Sequence, residues 1–417
     1  MLYFARWKIA LILLVVFGGF LALLPNLLPR QVVDALPGFL PKREIVLGLD
    51  LQGGAYLLYQ VDREDYVQTR LRTLTGEVRQ ALRQDPRIGY TGLGVADGGV
   101  QVRIRDADQV SLARQRLEGL LNPLAGGMFN QGATNEFELS AGPDGLFRLT
   151  FTEAGLEQRI RSIVQQSIEV IRLRIDQLGT TEASIQREGA DRILVEAPGI
   201  DDPDRLKALV GQTAQLTFHL VDESVAPGQA LQTRPPPGTV VVFSMDDPPR
   251  PYVIEEEPLL TGEDLVDAQT GFDQQTNEPI VSFRLSGGGA RTFGEVTTRN
   301  VGRPFAIVLD NEVITAPVIR EPILGGAGQI SGSFTVETAN DLAILLRAGA
   351  LPAKLIPIEE RTVGPGLGAD SIAAGEIAAI VAAVLVGVSM IAVYGLFGVF
   401  SVLALVVNVV LILGSLS

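Results

Sequence analysis

The chain has 417 residues, 47% of them hydrophobic and 20% charged, with a mean hydropathy of +0.27. Its net charge of −14 argues against a nucleic-acid partner, because meeting phosphate requires basic patches. Cys is absent, which excludes a disulfide framework and any thiolate metal site.

The apolar residues concentrate at the two ends. Residues 1–8 include Arg6 and Lys8, and residues 9–28 (IALILLVVFGGFLALLPNLL) carry no charge. Such a run makes a helix of about 30 Å, the thickness of a bilayer's hydrocarbon core. A cleaved signal would have an apolar region of about 7–15 residues and a small-x-small site. This run is longer and ends in Pro25, Pro29 and Arg30, so it reads as a membrane anchor. The positive-inside rule then places residues 1–8 in the cytoplasm and the following domain outside it.

Residues 55–61 (AYLLYQV) read as a strand. An inserted unit follows at 62–150, with a helix at 64–84, two strands at 90–105 around Asp97–Gly98–Gly99, and a helix at 107–121. From Leu156 to Leu178, Ile160, Ile163, Val164, Ile168, Ile171 and Ile175 recur at helical spacing, and Gly179 supplies a stop. ASIQRE and RILVEA form a hairpin about Gly189–Asp191, and Asp202–Pro203 caps the next helix. AQLTFHLVD (214–222) alternates as a half-buried strand. Strand-helix-strand-strand-helix-strand is the ferredoxin-like order. Residues 42–222 are therefore expected to form a base of ferredoxin-like units, the insert being a second unit of the same kind.

Past Glu223, PPP at 235–237 and DDPPRP at 246–251 mark a boundary, and 223–328 is expected to form a separate, sheet-rich head lobe with a helix at 288–300. Residues 329–370 lead back through a helix (336–348) and a strand (353–358) to the base and a linker. After Glu376 no charge appears before Ser417, a stretch of 41 residues and twice a bilayer core as one helix. It must form two spans, 372–394 and 396–416, turning at Gly395 and Gly398 beside Tyr394.

Catalytic signals are few. No Gly-Lys pair exists, which excludes a Walker ATPase, and the single His, His219, rules out HExxH zinc sites. In its strand His219 faces opposite to Phe218 and Leu220 and reads as a strand-surface residue rather than a catalytic base. Gly364, Gly366 and Gly368 lack the strand-helix unit of a dinucleotide site, so no cofactor and no metal is expected.

Several long segments resemble the SecD family of protein-export translocase subunits. They are GLDLQGG (48–54), RIDQLGTTEASIQREGADRILVEAPGI (174–200), GQTAQLTFHLVD (211–222), NVGRPFAIVLDNEVITAPVI (300–319), LLRAGALPAKLIPIEERTVGP (345–365) and VGPGLGADSI (363–372). Within them Gly48, Asp50, Gly53, Gly54, Gly364, Pro365 and Gly368 are the family-motif positions. The resemblance implies an α+β membrane protein of the bacterial inner membrane. It implies transmembrane helices around a large periplasmic domain of ferredoxin-like units with an inserted head, related to the resistance-nodulation-division transporters. It also implies a non-enzymatic subunit working with SecF, the SecYEG channel and a YajC-type accessory protein, and drawing unfolded preproteins outward on the proton gradient. The family has six spans and handles protons on a carboxylate of the fourth, so that residue is expected beyond 417; Glu376 reads as a charge at a helix N-terminus. The head is expected to meet extended clients through Phe293 and Phe305, with Gly287, Gly288 and Gly289 allowing close backbone approach. A small-molecule exporter of the related superfamily and a non-energised membrane scaffold are the alternatives.

Overall fold

The structure, a computed structural model, describes residues 6–27, 53–121, 123–124, 134–178, 183–200, 202–233, 235–274, 276–363 and 365–416. The helix α1 (Arg6–Leu27) opens the chain, and its segment Arg6–Leu23 is long and apolar enough to cross a membrane.

After β1 (Gly54–Val61), α2 (Arg63–Arg83) starts on Asp62, whose carboxylate accepts from the Asp65 amide at 3.0 Å. It buries Leu71, Leu74, Val78 and Leu82, a single stripe at helical spacing. The strands β2 (Tyr90–Ala96) and β3 (Gly99–Ile104) are joined by Asp97 and Gly98, both at positive φ (49° and 74°), the geometry of a tight hairpin turn. Next come α3 (Val110–Glu118), the two-residue strands β4 (Pro123–Leu124) and β5 (Thr134–Asn135), then β6 (Phe137–Ala141) and β7 (Leu146–Phe151). The insert's sheet is antiparallel in the order β2-β3-β7-β6. Taken from β7 through α2, β2, β3 and α3 to β6, this is the ferredoxin-like order with the chain circularly permuted.

The base continues with α4 (Glu153–Gln177), capped by Thr152 and buried along Ile160, Ile163, Val164, Ile168, Ile171 and Ile175. The hairpin β8 (Ser184–Glu188) and β9 (Arg192–Pro198) leads to α5 (Pro203–Gly211), which Asp202 caps by accepting from the Arg205 amide. The head contributes β10 (Leu216–Leu220), α6 (Pro227–Gln232), β11 (Thr239–Ser244), β12 (Pro251–Glu255), β13 (Leu260–Thr261), β14 (Leu265–Phe272) and β15 (Pro279–Leu285). It goes on with α7 (Gly287–Arg299), β16 (Phe305–Leu309), β17 (Glu312–Thr315), β18 (Ala327–Ile330) and α8 (Val336–Ala348). The chain ends with β19 (Leu355–Val363), α9 (Pro365–Tyr394) and α10 (Leu396–Leu416). Asp370–Tyr394 and Leu396–Ser415 are each long and apolar enough to span a membrane. Within this part of the chain α10 crosses α1 so closely that a Cβ on Gly414 would lie 2.3 Å from the Gly19 carbonyl oxygen, the small-residue contact by which apolar helices approach in lipid.

Two expectations are corrected here. The strand that completes the base sheet is β19, in the order β19-β1-β9-β8, whereas β10 lies inside the head sheet, β12-β11-β17-β16-β10-β13. The reason is burial on both faces. Leu216, Phe218 and Leu220 enter one core, and the sheet curls until β12 meets β10 through the Val221–Ile254 bridge, covering the other face. At the edge of the base, β19 instead carries the charged run Glu359, Glu360 and Arg361, which suits an unpaired edge. The head also runs past residue 328: β18 pairs with β15, and Ala339, Leu342, Ala343 and Leu345 of α8 share one core with Phe218, Phe283 and Ile307.

The same curl buries His219, which is 7% exposed rather than on the strand surface, with Nδ1 2.7 Å from the Glu255 carbonyl oxygen. Burial pushes its pKa below the ordinary imidazole range, against the opposing pull of the Glu255 carbonyl and carboxylate. The folded state therefore binds this proton less readily than the unfolded chain. His219 costs nothing above the unfolded value near pH 6.5, and stability falls as pH drops below it. Urea titrations between pH 8 and pH 5 should show that loss in the parent and a shallower one in His219→Gln; equal slopes would remove His219 as its source.

Candidate functional site

In the head, the β11–β12 loop, the β16–β17 hairpin and the start of α8 enclose a groove of about 680 Å³. Its floor is apolar: Leu309 and Ile314 come from the hairpin, Phe334 from the approach to α8, and Leu342 and Leu345 from α8 itself. The turn at Asp310 and Asn311, both at positive φ (49° and 69°), brings Leu309 and Ile314 to the same end of the hairpin. The Thr335 side chain accepts from the Thr338 amide and starts α8, so its second and third turns present Leu342 and Leu345.

The rim is polar. Asp246 and Asp247 stand on one side with Arg250, whose Nε is 4.0 Å from Asp246 Oδ2, and Met245 beside them is 55% exposed. Across the groove Asp341 is held by Arg205 of α5, which donates from Nε at 3.1 Å and from Nη2 at 2.6 Å. An apolar floor under a hydrogen-bonding rim can seat apolar side chains while leaving backbone groups solvated. It has room for several side chains, since pockets for small ligands span roughly 300–1,000 Å³. Among the described residues no cluster of three potential metal ligands occurs.

The expected client contacts do not meet in this groove. Phe293 and Phe305 are 2% and 6% exposed and belong to an aromatic core, their rings 5.7 Å apart and each 6.2 Å from Phe218. They pack the head and are not available as surface contacts. Gly287 and Gly288 are exposed in the first turn of α7, which Ser286 caps. Gly289 is buried, and a Cβ there would come within 2.9 Å of Asp264 Cβ, so its close approach is to the chain's own fold. Among the family-motif positions, Gly53 and Gly54 take positive φ (75° and 135°) at the start of β1, and the Gly53 carbonyl accepts from the Gly199 amide at 3.0 Å. That is a backbone role only glycine fills easily. Pro365 and Gly368 lie in the opening turns of α9. Gly48, Asp50 and Gly364 lie outside the described residues.

The groove residues escaped sequence reading because Phe334, Ile314 and Met245 lie on three segments far apart in the chain. One signal was present: α8 is apolar on more than one face, with Ile344 and Leu346 buried alongside Leu342 and Leu345.

Among the described residues, three helices long and apolar enough to span a membrane, attached to a two-part α+β domain with an open groove, define a membrane-anchored α+β protein. Residues 164–223 match the family described as the N-terminal P1 domain of protein translocase subunit SecDF, and residues 239–353 match the SecDF P1 head subdomain. Protein translocase subunit SecD of Acetobacter pasteurianus is 43% identical over 100% of this chain and 77% of its own length. SecD of Rickettsia bellii is 38% identical over 99% of this chain and 76% of its own. The crystal structure of SecDF in a super-membrane-facing form is 28% identical, with a TM-score of 0.45, over 97% of this chain. The chain spans 42% of the length of that SecDF. The chain belongs to the SecD family, the accessory subunits of the Sec translocase.

Proposed function

We propose that this chain is a non-enzymatic subunit of protein export in the bacterial inner membrane, its large domain on the periplasmic side. There the head groove takes extended segments of unfolded preprotein as they leave the channel. Working with SecF, SecYEG and a YajC-type protein, and drawing on the proton gradient, it favours outward movement of the client. Family membership supports the export role, and Arg6 and Lys8 before the first span support the orientation. One observation carries the binding role: the floor of Leu309, Ile314, Phe334, Leu342 and Leu345 under a solvated rim. Unfolded chains share exposed apolar side chains and free backbone groups, and this surface asks for no more than that.

A photoreactive phenylalanine at Phe334 or Met245 should crosslink to an arrested secretory precursor, whereas the same probe at Thr276 in the β14–β15 turn should not. Equal yields at all three positions, or none at Phe334 and Met245, would reject the groove as the client site.

A further inference from the structure

The floor of the groove accepts apolar side chains without regard to charge, but the rim above it is charged, with three aspartates against Arg250. Those carboxylates are not equally free. Asp341 takes two hydrogen bonds from Arg205, whose Nη1 also lies 3.6 Å from Glu337. Its charge is answered from within the fold. Asp246 meets Arg250 only at 4.0 Å, and that arginine side chain is 73% exposed, so the pair is loose and open to water.

Asp247 differs from both. It is exposed, it lines the groove, and among the described residues its carboxylate has no ion pair and no hydrogen bond. The loop that carries it is nonetheless held in place. Its neck is closed by the Ser244 amide donating to the Arg250 carbonyl at 2.8 Å and by the Arg250 amide donating to the Ser244 hydroxyl at 2.9 Å. The Met245 amide donates to the Val313 carbonyl at 3.0 Å, which ties the loop to β17, and Pro248 and Pro249 stiffen its tip. A free carboxylate fixed at the mouth of an apolar cleft acts on whatever chain runs past it. It attracts Lys and Arg and repels Asp and Glu, because low-dielectric walls focus the field into the opening.

We propose that the groove grades its clients by charge, favouring apolar segments flanked by Lys or Arg over those flanked by Asp or Glu, with Asp247 as the discriminating residue. This rests on the groove being the client site. Charge is not required for entry; it ranks the segments that enter.

Three fluorescent peptides with one Leu-Phe-Val-Leu core, flanked on both sides by paired Lys, Glu or Ser, test the idea. Binding is read by anisotropy to the full chain in phosphatidylcholine nanodiscs, whose neutral surface does not collect the Lys peptide. At about 50 mM salt the Lys peptide should bind the parent about tenfold more tightly than the Glu peptide, the sum of a few exposed charge contacts. At about 500 mM salt, where screening shortens the reach of each charge, the two should converge. Asp247→Asn should narrow the gap to about threefold and Asp247→Lys should reverse the order, both leaving the Ser peptide's affinity unchanged. Glu256→Gln/Glu257→Gln, just past the end of β12 remote from this loop, should keep the parent's gap.

Equal binding of the Lys and Glu peptides to the parent would overturn the charge preference. A gap that survives Asp247→Lys, or that shrinks as much in Glu256→Gln/Glu257→Gln, would assign the preference to the chain's net charge of −14 and remove Asp247 from it. The Ser peptide judges the groove itself. If it fails to bind the parent, or binds Phe334→Ala equally well, the groove reading falls and this proposal with it.

Discussion

Replacing Glu136 with Gln should cost about 3 kcal/mol of stability, because it leaves arginines facing a neutral amide where they had a buried carboxylate. Glu136 is fully buried just before β6. Arg70 of α2 donates to it from Nε at 3.3 Å and from Nη2 at 3.4 Å, and the Tyr66 hydroxyl donates at 3.3 Å. Arg159 of α4 lies 3.6 Å away and also donates to the Tyr66 hydroxyl at 3.2 Å. The Arg70 guanidinium lies 5.2 Å from the centre of the Phe137 ring, so its other face is also shielded. The cluster ties the inserted unit's first helix to the base helix α4, and removing its central charge weakens the contacts that Arg70, Tyr66 and Arg159 make to position 136 together. Urea melts should show a lower midpoint. Glu169→Gln is the control: its 3.4 Å bridge to Arg172 is exposed on both sides, and exposed pairs contribute about 0–1 kcal/mol. Equal midpoints for the two variants would show that the buried carboxylate contributes no more than a surface pair.

Truncating Phe218 to Ala should cost about 3–5 kcal/mol, the range for deleting a buried aromatic ring. Phe218 is fully buried, and its ring centre lies 5.7 Å from that of Phe283 and 6.2 Å from those of Phe293 and Phe305. The four rings come from β10, β15, α7 and β16, so the cavity opens where the head's two sheets and its central helix meet. Neighbours drawn from separate elements cannot all move in to fill it, which puts the loss toward the upper end. Phe218→Leu, which retains most of the volume, should lose less, and Phe243→Ala should lose under about 1 kcal/mol because Phe243 is 44% exposed. The chain's single Trp, Trp7, lies in α1 and far from the head in sequence, so near-ultraviolet circular dichroism of the Phe and Tyr bands is the useful signal for the head. If Phe218→Ala melts with the parent, the aromatic cluster is not what holds the head together.

The local elements were legible because each rests on neighbours in sequence. The Ile-rich stripe from Ile160 to Ile175, the Asp202–Pro203 helix start and the Asp97–Gly98 turn all appear where periodicity and turn chemistry place them. His219 and the strand around it show where that reading stopped. Alternation along 214–222 identifies a strand with two unlike faces, but whether the second face meets water depends on the curl that brings Ile254 to Val221. Phe293 and Phe305 read from the sequence as client contacts; only packing shows that their rings meet Phe218 instead.

The apolar runs at the two ends alone determine that this is a membrane protein, since no packing of the middle could make such uncharged stretches comfortable in water. The motif segments, in their order along the chain, determine the family. Tertiary structure decided which strand completes the base, where the head ends, and what faces the groove. Each of those turns on contacts between residues far apart in sequence: β19 beside β1, α8 against the core of Phe218, and Arg174 with carbonyls on both sides of the head. A one-dimensional pattern encodes how apolar a face is, but not which distant face will cover it.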